Sequence, residues 1–405
     1  MNGAGKTAII VGGSMSGLLA GLMLRRAGWT VDIFERVETE LSGRGAGIVA
    51  QAELIRHLKE LGLDVSALGV EARTRKIFSR DGGVTLTRDC PQILTAWERL
   101  YRLLRDAFPA AHYHRGKGVV SFEQSSAGVN ARSNDGTARE ADLLIGADGI
   151  RSTVRAQLMP EVQPLYAGYA AWRALIAEDA LPADVLTEVF PFLSFGLPPG
   201  EQFLSYPVAG PDNDLRPGHR RLNIIWYRPA DAEKKLPWLL TDDKGVTHQI
   251  SIPPPLIRKA AIDEMHAAAE RLLAPQFRAI VKLFGEPILQ PIYDLEAPRM
   301  AVGRVAILGD AAFVARPHVG AGVSKAADDA AALVAALQAN AEVEAALMAF
   351  ETRRVPENRR IIERARHLGA YLQASQTQEE QSRAGRHATD AAVIAETATL
   401  DFLHA

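Results

Sequence analysis

The sequence predicts a mixed α/β (α+β) chain: a Rossmann-like parallel-sheet domain, an inserted and mostly antiparallel sheet domain, and C-terminal helices. Three observations predict it. Near the start, a short apolar strand, a glycine turn, an amphipathic helix and a second strand follow one another within about thirty residues, the size of a βαβ unit. Between Tyr166 and Tyr227, short β-rich runs alternate with dense Pro and Gly. From Val323 onward the chain is Ala-rich with helical spacing. At 405 residues it exceeds the size of a single core.

In order, Ala8 to Val11 reads as a buried strand, broken by Gly12 and Gly13. Leu18, Leu19, Leu22, Met23 and Ala27 then recur at helical spacing, and Gly28 ends that helix. Val31-Asp32-Ile33-Phe34 is the second strand and closes on Glu35-Arg36. Tyr169 to Ile176, Gln202 to Tyr206 and Arg221 to Tyr227 read as strands of the inserted sheet, separated by Pro198-Pro199-Gly200, Pro211 and Pro217-Gly218. Pro253-Pro254-Pro255 introduces a helix over Leu256 to Leu273, and Arg304 to Leu308 returns to a strand. The expected boundaries are residues 1–75, 95–165 and 288–345 for the discontinuous first domain, 76–94 and 166–287 for the inserted domain, and 346–405 for the helical end.

Composition narrows the function. Lys plus Arg number 46 against 48 Asp plus Glu, a net charge of −2, so no electrostatic case exists for a nucleic-acid partner. The single cysteine, Cys90, excludes an internal disulfide and a Cys-rich metal site. His112 and His114 flank Tyr113, with nothing nearby to complete a metal site. Met1 to Thr7 lack the apolar core of a secretion signal, and no apolar run is long enough for a membrane span; a cytoplasmic protein without membrane partners is expected. Gly5-Lys6-Thr7 resembles the end of a P-loop, but it precedes a strand and lacks the upstream glycine.

The turn Gly12-Gly13-Ser14-Met15-Ser16-Gly17 is a G-x-G-x-x-G variant with Ser14 at the middle glycine. Gly12 permits the tight turn, Gly17 lets the helix approach the sheet, and the helix N-terminus favours phosphate. Glu35, at the end of the second strand, is placed to accept from ribose hydroxyls. Two apolar strands end in further Gly/Asp turns: Gly146-Ala147-Asp148-Gly149, followed by Arg151, Ser152 and Arg155, and Gly309-Asp310, followed by Pro317-His318-Val319-Gly320-Ala321-Gly322. Packing alone does not call for acids at such strand ends.

With these three motifs in this order, the chain resembles the single-component FAD-dependent aromatic hydroxylases of the p-hydroxybenzoate hydroxylase fold, over essentially its whole length. The resemblance extends to Leu41–Val49 with Gln51, Tyr166–Arg173, Asn223–Tyr227 and Arg316-Pro317-His318. It implies FAD contacts for Gly12, Gly13, Ser14, Met15, Ser16, Gly17, Glu35, Arg36, Arg44, Gln51, Asp148, Asp310, Gly320, Ala321 and Gly322. It implies NAD(P)H as reductant without a second glycine-turn domain, O2 as co-substrate, and a C4a-hydroperoxyflavin that hydroxylates an electron-rich ring. A hydroxypyridine such as 2,6-dihydroxypyridine is the expected substrate, with a phenol or another heteroaromatic ring as the alternative. Relatives suggest a homodimer. One departure is Trp97, which stands where many relatives carry an FAD-binding arginine; Arg99 and Arg102 lie close in sequence but on other helix faces.

The chemistry asks for a dry pocket. Trp172, Phe195, Phe203, Tyr206, Trp226 and Tyr227 are candidates to line it on the inserted sheet, and only a few of the six are expected to reach the ring. Trp172, Tyr206, Trp226, Pro317 and His318 are the expected substrate contacts. His318 is the candidate acid–base group, since imidazole suits deprotonating a ring hydroxyl; capping the next helix is its alternative role. A flavin halogenase shares the fold, but its Trp-x-Trp-x-Ile-Pro signature is absent. A non-catalytic FAD-carrying interaction protein is a third reading.

Overall fold

The first strand forms as Thr7–Val11 and sits inside a six-stranded sheet in the computed structural model, which describes residues 5–41 and 47–403. The strand order is Ala301–Val302, Val305–Ile307, Leu143–Gly146, Thr7–Val11, Thr30–Glu35 and Tyr113–Arg115. All pairs are parallel except the outermost, Ala301–Val302 on Val305–Ile307. Parallel sheets are covered on both faces, which explains why Leu143–Gly146 and Val305–Ile307 are apolar throughout and wholly buried. The helices Met15–Arg26 and Gly322–Ala339 pack against each other, and both begin at the carboxyl ends of these strands. In open parallel sheets of this kind, ligands bind at that end.

The inserted domain is built on a nine-stranded sheet, ordered Phe313–Val314, Ile288–Glu296, Leu165–Ala177, Arg221–Pro229, Gln202–Val208, Leu193–Gly196, Val70–Phe78, Val84–Ala96 and Gly47–Ala50. Only Leu193–Gly196 on Val70–Phe78 is parallel. The sheet therefore recruits Gly47–Ala50, the start of Val70–Phe78 and Ile288–Glu296 from segments that the sequence boundaries assign to the first domain. Alternation along a strand reports its faces, not which sheet it will join.

One face of this sheet, with Ala170, Trp172, Phe203, Ile224 and Trp226, is buried under Lys259–Leu272 and Pro275–Val281. That first helix starts at Lys259, after a separate turn at Pro254–Leu256, because Ile257 and Arg258 stay extended. The other face carries Tyr169, Ala171, Leu204, Tyr206, Ile225 and Tyr227. A three-stranded antiparallel sheet, Val119–Gln124, Val129–Ser133 and Ala138–Ala141, completes the first domain. The long helix Val343–Gly369 and the short helices Gln378–His387 and Asp390–Glu396 form the C-terminal region. Beyond them, the Ala398 N–H donates to the His318 carbonyl at 2.6 Å, so the chain's end reaches the candidate site. Among the described residues no helix is long and apolar enough to cross a membrane.

Candidate functional site

Two cavities meet between the sheets. The first, of about 430 Å³, is a cleft at the carboxyl ends of the parallel strands. Gly12 holds φ at +105°, and a Cβ there would overlap the Ala147 carbonyl. A Cβ on Gly17 would overlap the Gly12 carbonyl, and one on Gly13 the Tyr113 hydroxyl. All three glycines are thus fixed by close approach of backbone or ring. The Gly12 N–H donates to the Phe34 carbonyl at 2.8 Å, and the Gly13 N–H donates to Glu35 Oε2 at 2.9 Å. Ser14 precedes the first helix but makes no side-chain cap, which leaves the first-turn N–H groups facing the cleft that Ser14, Met15 and Ser16 line.

Glu35 is 6% exposed, and its Oε1 accepts from the Val37 N–H at 2.9 Å. Each of its oxygens accepts one bond and keeps capacity for another, and the residue lines the cleft, as a ribose contact requires. Arg36 is exposed at the rim. Arg44 lies outside the described residues. Gln51 donates to the Ala398 carbonyl at 3.0 Å and is not on either cavity's wall. Trp97 begins the helix Trp97–Ala107, stacks on Tyr101 and lines the cleft. Arg102 is engaged with Glu98 and Asp212, and neither it nor Arg99 reaches the wall.

Asp148 and Asp310 lie on the wall that the cleft shares with the second cavity. Asp148 Oδ2 accepts from the Thr153 N–H at 2.7 Å, while its Oδ1 is buried without a partner. Burial pushes this carboxyl up, against hydrogen bonds from Ser152, Thr153 and Val154. An orphaned buried acceptor on a cleft wall fits a ligand that donates there. Asp310 opens onto the cleft, yet the protein crowded round it displaces water and raises its carboxyl; Lys325 opposes this and Asp329 adds to it. Arg155 ties the two acidic turns together, donating to the Ile150 carbonyl at 2.6 Å and the Ala311 carbonyl at 2.9 Å.

Gly320, Ala321 and Gly322 lie on the second cavity's wall, with Gly320 at φ +61°. Gly322 starts an 18-residue helix with no side-chain cap and open space around its α-carbon. The site thus offers two uncapped helix N-termini, a glycine turn no side chain can enter, and two acids. That donor set fits a dinucleotide with an anionic diphosphate and ribose hydroxyls, as FAD has.

The second cavity, of about 1200 Å³, lies against the face of the nine-stranded sheet that carries Tyr206, Ile225 and Tyr227. Tyr206, Tyr227, Pro317 and His318 line it as expected. Trp172 and Trp226 do not. They pair with each other across neighbouring strands and point to the helix-covered face, 2% and 0% exposed. Phe203 is on that face too. The side chains aimed into the cavity are their neighbours one residue on, Arg173 and Tyr227, with Ile225 and Leu204. His318 is 2% exposed, and its Nε2 shares a 2.8 Å hydrogen bond with the Tyr169 hydroxyl. Burial, then the Arg316 charge, lower its pKa to about 3, so the imidazole is neutral.

Sequence reasoning missed two features. Arg173 lines both cavities; a lone cation in an otherwise uncharged strand was the signal. The second is a buried network behind the Gly309-Asp310 turn. Asp329 accepts from the Gly309 N–H at 3.0 Å, from Arg354 Nε at 2.8 Å and from Asn358 Nδ2 at 3.0 Å. Lys325 Nζ lies 3.8 Å from it. Burial pushes the Asp329 carboxyl up, but Arg354 and Lys325 outweigh that and hold it below the ordinary range.

Comparison with known proteins accords with this geometry. Residues 6–189 match the family described as FAD binding domain, and residues 166–294 match FAD binding domain-like. The chain is 33% identical over 365 residues to 2,6-dihydroxypyridine 3-monooxygenase of Paenarthrobacter nicotinovorans, covering 90% of this chain and 91% of that one. It is 30% identical to 3-amino-4-hydroxybenzoate 2-monooxygenase of Streptomyces cremeus, covering 89% and 86%. The solved 2,6-dihydroxypyridine-3-hydroxylase from Arthrobacter nicotinovorans superposes with a TM-score of 0.86 at 32% identity, over 92% of this chain and 94% of that chain. Klebsiella pneumoniae HpxO, complexed with FAD and uric acid, shares the fold at a TM-score of 0.75 and 22% identity, over 97% of each chain.

Proposed function

Because the chain belongs to the FAD-dependent aromatic hydroxylases of the p-hydroxybenzoate hydroxylase fold, enzymes that use NAD(P)H and O2, we propose that it hydroxylates a small hydroxylated nitrogen heterocycle, a hydroxypyridine such as 2,6-dihydroxypyridine. The observation that carries this reading is the shared wall: Gly47, Ile48, Asp148, Gly149, Arg173, Asp310, Gly322 and Val323 border both the dinucleotide-type cleft and the aromatic-lined cavity. A ring in the second cavity would therefore lie next to a ligand in the first. The choice of ring leans on the likeness to 2,6-dihydroxypyridine 3-monooxygenase.

FAD, when bound, supplies the reduction and oxygen-activation chemistry. The protein's own residues bind, orient and dry the site. N–H groups at Ser14–Ser16 would hold the diphosphate, Glu35 the adenosine ribose, and Asp310 the cofactor's polyol or diphosphate region. The uncapped start of Gly322–Ala339 would direct partial positive charge at the flavin ring, favouring its reduced, more negative form. Leu193, Leu204, Ile225 and Ile292 make the cavity wall apolar, which keeps water from the reacting ring. His318 would take or orient the proton of the ring hydroxyl. A neutral imidazole with so low a pKa gains basicity only when an anion lies beside it. The test is a panel of ring compounds offered to the FAD-loaded protein with NADH. Hydroxypyridines should stimulate NADH consumption with matching hydroxylated product. A panel in which only non-nitrogenous phenols give product would overturn the pyridine reading.

A further inference from the structure

We propose that Arg173 is a specificity-determining residue that selects substrates carrying an ionised ring oxygen, its guanidinium holding that anion where the two cavities meet. The proposal rests on the aromatic hydroxylase reading above and names the charge state of the ring it takes.

Arg173 lies on Leu165–Ala177, paired with Ile225 on one side and Ile288 on the other. It is half-buried and lines both cavities. Its one hydrogen-bond partner is neutral: Nη1 donates to Gln290 Oε1 at 2.7 Å. Its Nε is buried without a partner, and among the described residues no carboxylate lies within ion-pair distance. The other cations of these walls differ. Arg316 is committed to Asp294, with Nε at 3.1 Å and Nη2 at 2.9 Å from Oδ2. Arg151 is exposed and donates to Ser251, and Arg36 is exposed beside Glu35. Arg173 therefore keeps both its charge and donor capacity for something in the cavity.

A partly desolvated guanidinium with an unused donor is costly unless an acceptor arrives, and an anionic oxygen is the acceptor it binds best. The remaining titratable groups of this wall are Tyr206, Tyr227, Tyr293, His248, Asp148, Asp310 and His318. The positive field of Arg173 opposes the upward push of burial on both Tyr206 and Tyr227, so these hydroxyls and the guanidinium share one space. His318 is held neutral and brings no charge of its own. An ionised ring oxygen also feeds electron density into the ring, which suits attack on an electrophilic oxygen donor. Arg173 would thus favour the ionised, reactive form on binding, and His318 would not have to carry the whole proton.

The test uses the FAD-loaded enzyme without O2 and two probes of similar shape, 4-nitrophenol and its methyl ether 4-nitroanisole. Binding is read from the flavin absorbance, and ionisation of the bound phenol from its own visible band, across a pH series. Wild type should bind the phenolate in preference to the ether, and the bound phenol should ionise at lower pH than the free one. Arg173→Gln should weaken phenolate binding about tenfold to a hundredfold, the loss of a charge-assisted hydrogen bond, and leave the ether unchanged. Arg173→Lys should keep part of the anion preference, and circular dichroism of both variants reports on folding. Equal wild-type affinity for phenol and ether at every pH would overturn the proposal without any variant. So would an Arg173→Gln protein with undiminished phenolate preference. If 2,6-dihydroxypyridine fails to stimulate NADH oxidation while the Arg173-dependent preference persists, the pyridine reading falls and the role of Arg173 stands.

Discussion

Replacing His318 with glutamine should flatten the acid limb of the stability curve. In the folded protein this imidazole is 2% exposed, and burial with the Arg316 charge lowers its pKa from 6.5 to about 3. In the unfolded chain it returns to the ordinary value. Between those limits the unfolded state binds a proton that the folded state does not, so stability rises with pH. The contribution is complete above about pH 6.5 and is lost as the pH falls toward 3. Each pH unit in this window is worth about 1.4 kcal/mol. From neutral pH to about pH 4.5 the wild type should therefore lose about 3 kcal/mol through this one group. The assay is urea unfolding with excess FAD, in wild type and His318→Gln, across that range. Glutamine cannot titrate, so any loss from the substitution itself is the same at every pH. The two curves should converge as the pH falls. Curves that stay parallel from pH 7 to 4.5 would refute the buried neutral imidazole and the reading of His318 built on it.

Asp310→Ala should weaken FAD binding about tenfold to a hundredfold, measured by flavin fluorescence on titrating apoprotein, with the fold retained by circular dichroism. Trp226→Ala should cost about 3–5 kcal/mol of stability, read by chemical unfolding, and leave ring preference unchanged. Tyr227→Phe on the opposite face should alter the KM for the ring with little loss of stability. Asp329→Ala should destabilise the protein by about 3–5 kcal/mol, because the buried Lys325 and Arg354 would lose the carboxylate they share, Arg354 keeping only Glu357. FAD affinity should fall with it, since the Gly309 N–H loses its anchor.

The parts of the site that were legible in the sequence are those held by local geometry. The turn from Gly12 to Gly17 is recognisable because backbone and ring contacts forbid a side chain at Gly12, Gly13 and Gly17, and such a constraint leaves its residue type in the sequence. The placement of Glu35 follows from one strand's length, whereas Trp97 stood out only as a departure from the arginine of relatives, and the structure puts it on the cleft wall. The inserted sheet was legible as strands, but its faces were not. On Leu165–Ala177 and Arg221–Pro229 both faces are buried, so apolar residues run almost without a break and alternation gives little guidance. A one-residue choice of face then exchanged Trp172 for Arg173 and Trp226 for Tyr227. Asp329 was visible as an acid in a helix. Its bonds to Gly309, Arg354 and Asn358 span 20 to 29 residues, and no local pattern encodes them.

The most direct test of the central claim is a turnover under isotopically heavy O2 with FAD-loaded enzyme, NAD(P)H and 2,6-dihydroxypyridine, analysed by mass spectrometry. The account predicts a product carrying one heavy oxygen atom, formed in step with the NAD(P)H consumed and with little peroxide. NAD(P)H consumption that yields only peroxide, or a hydroxylated product whose new oxygen comes from water, would contradict it.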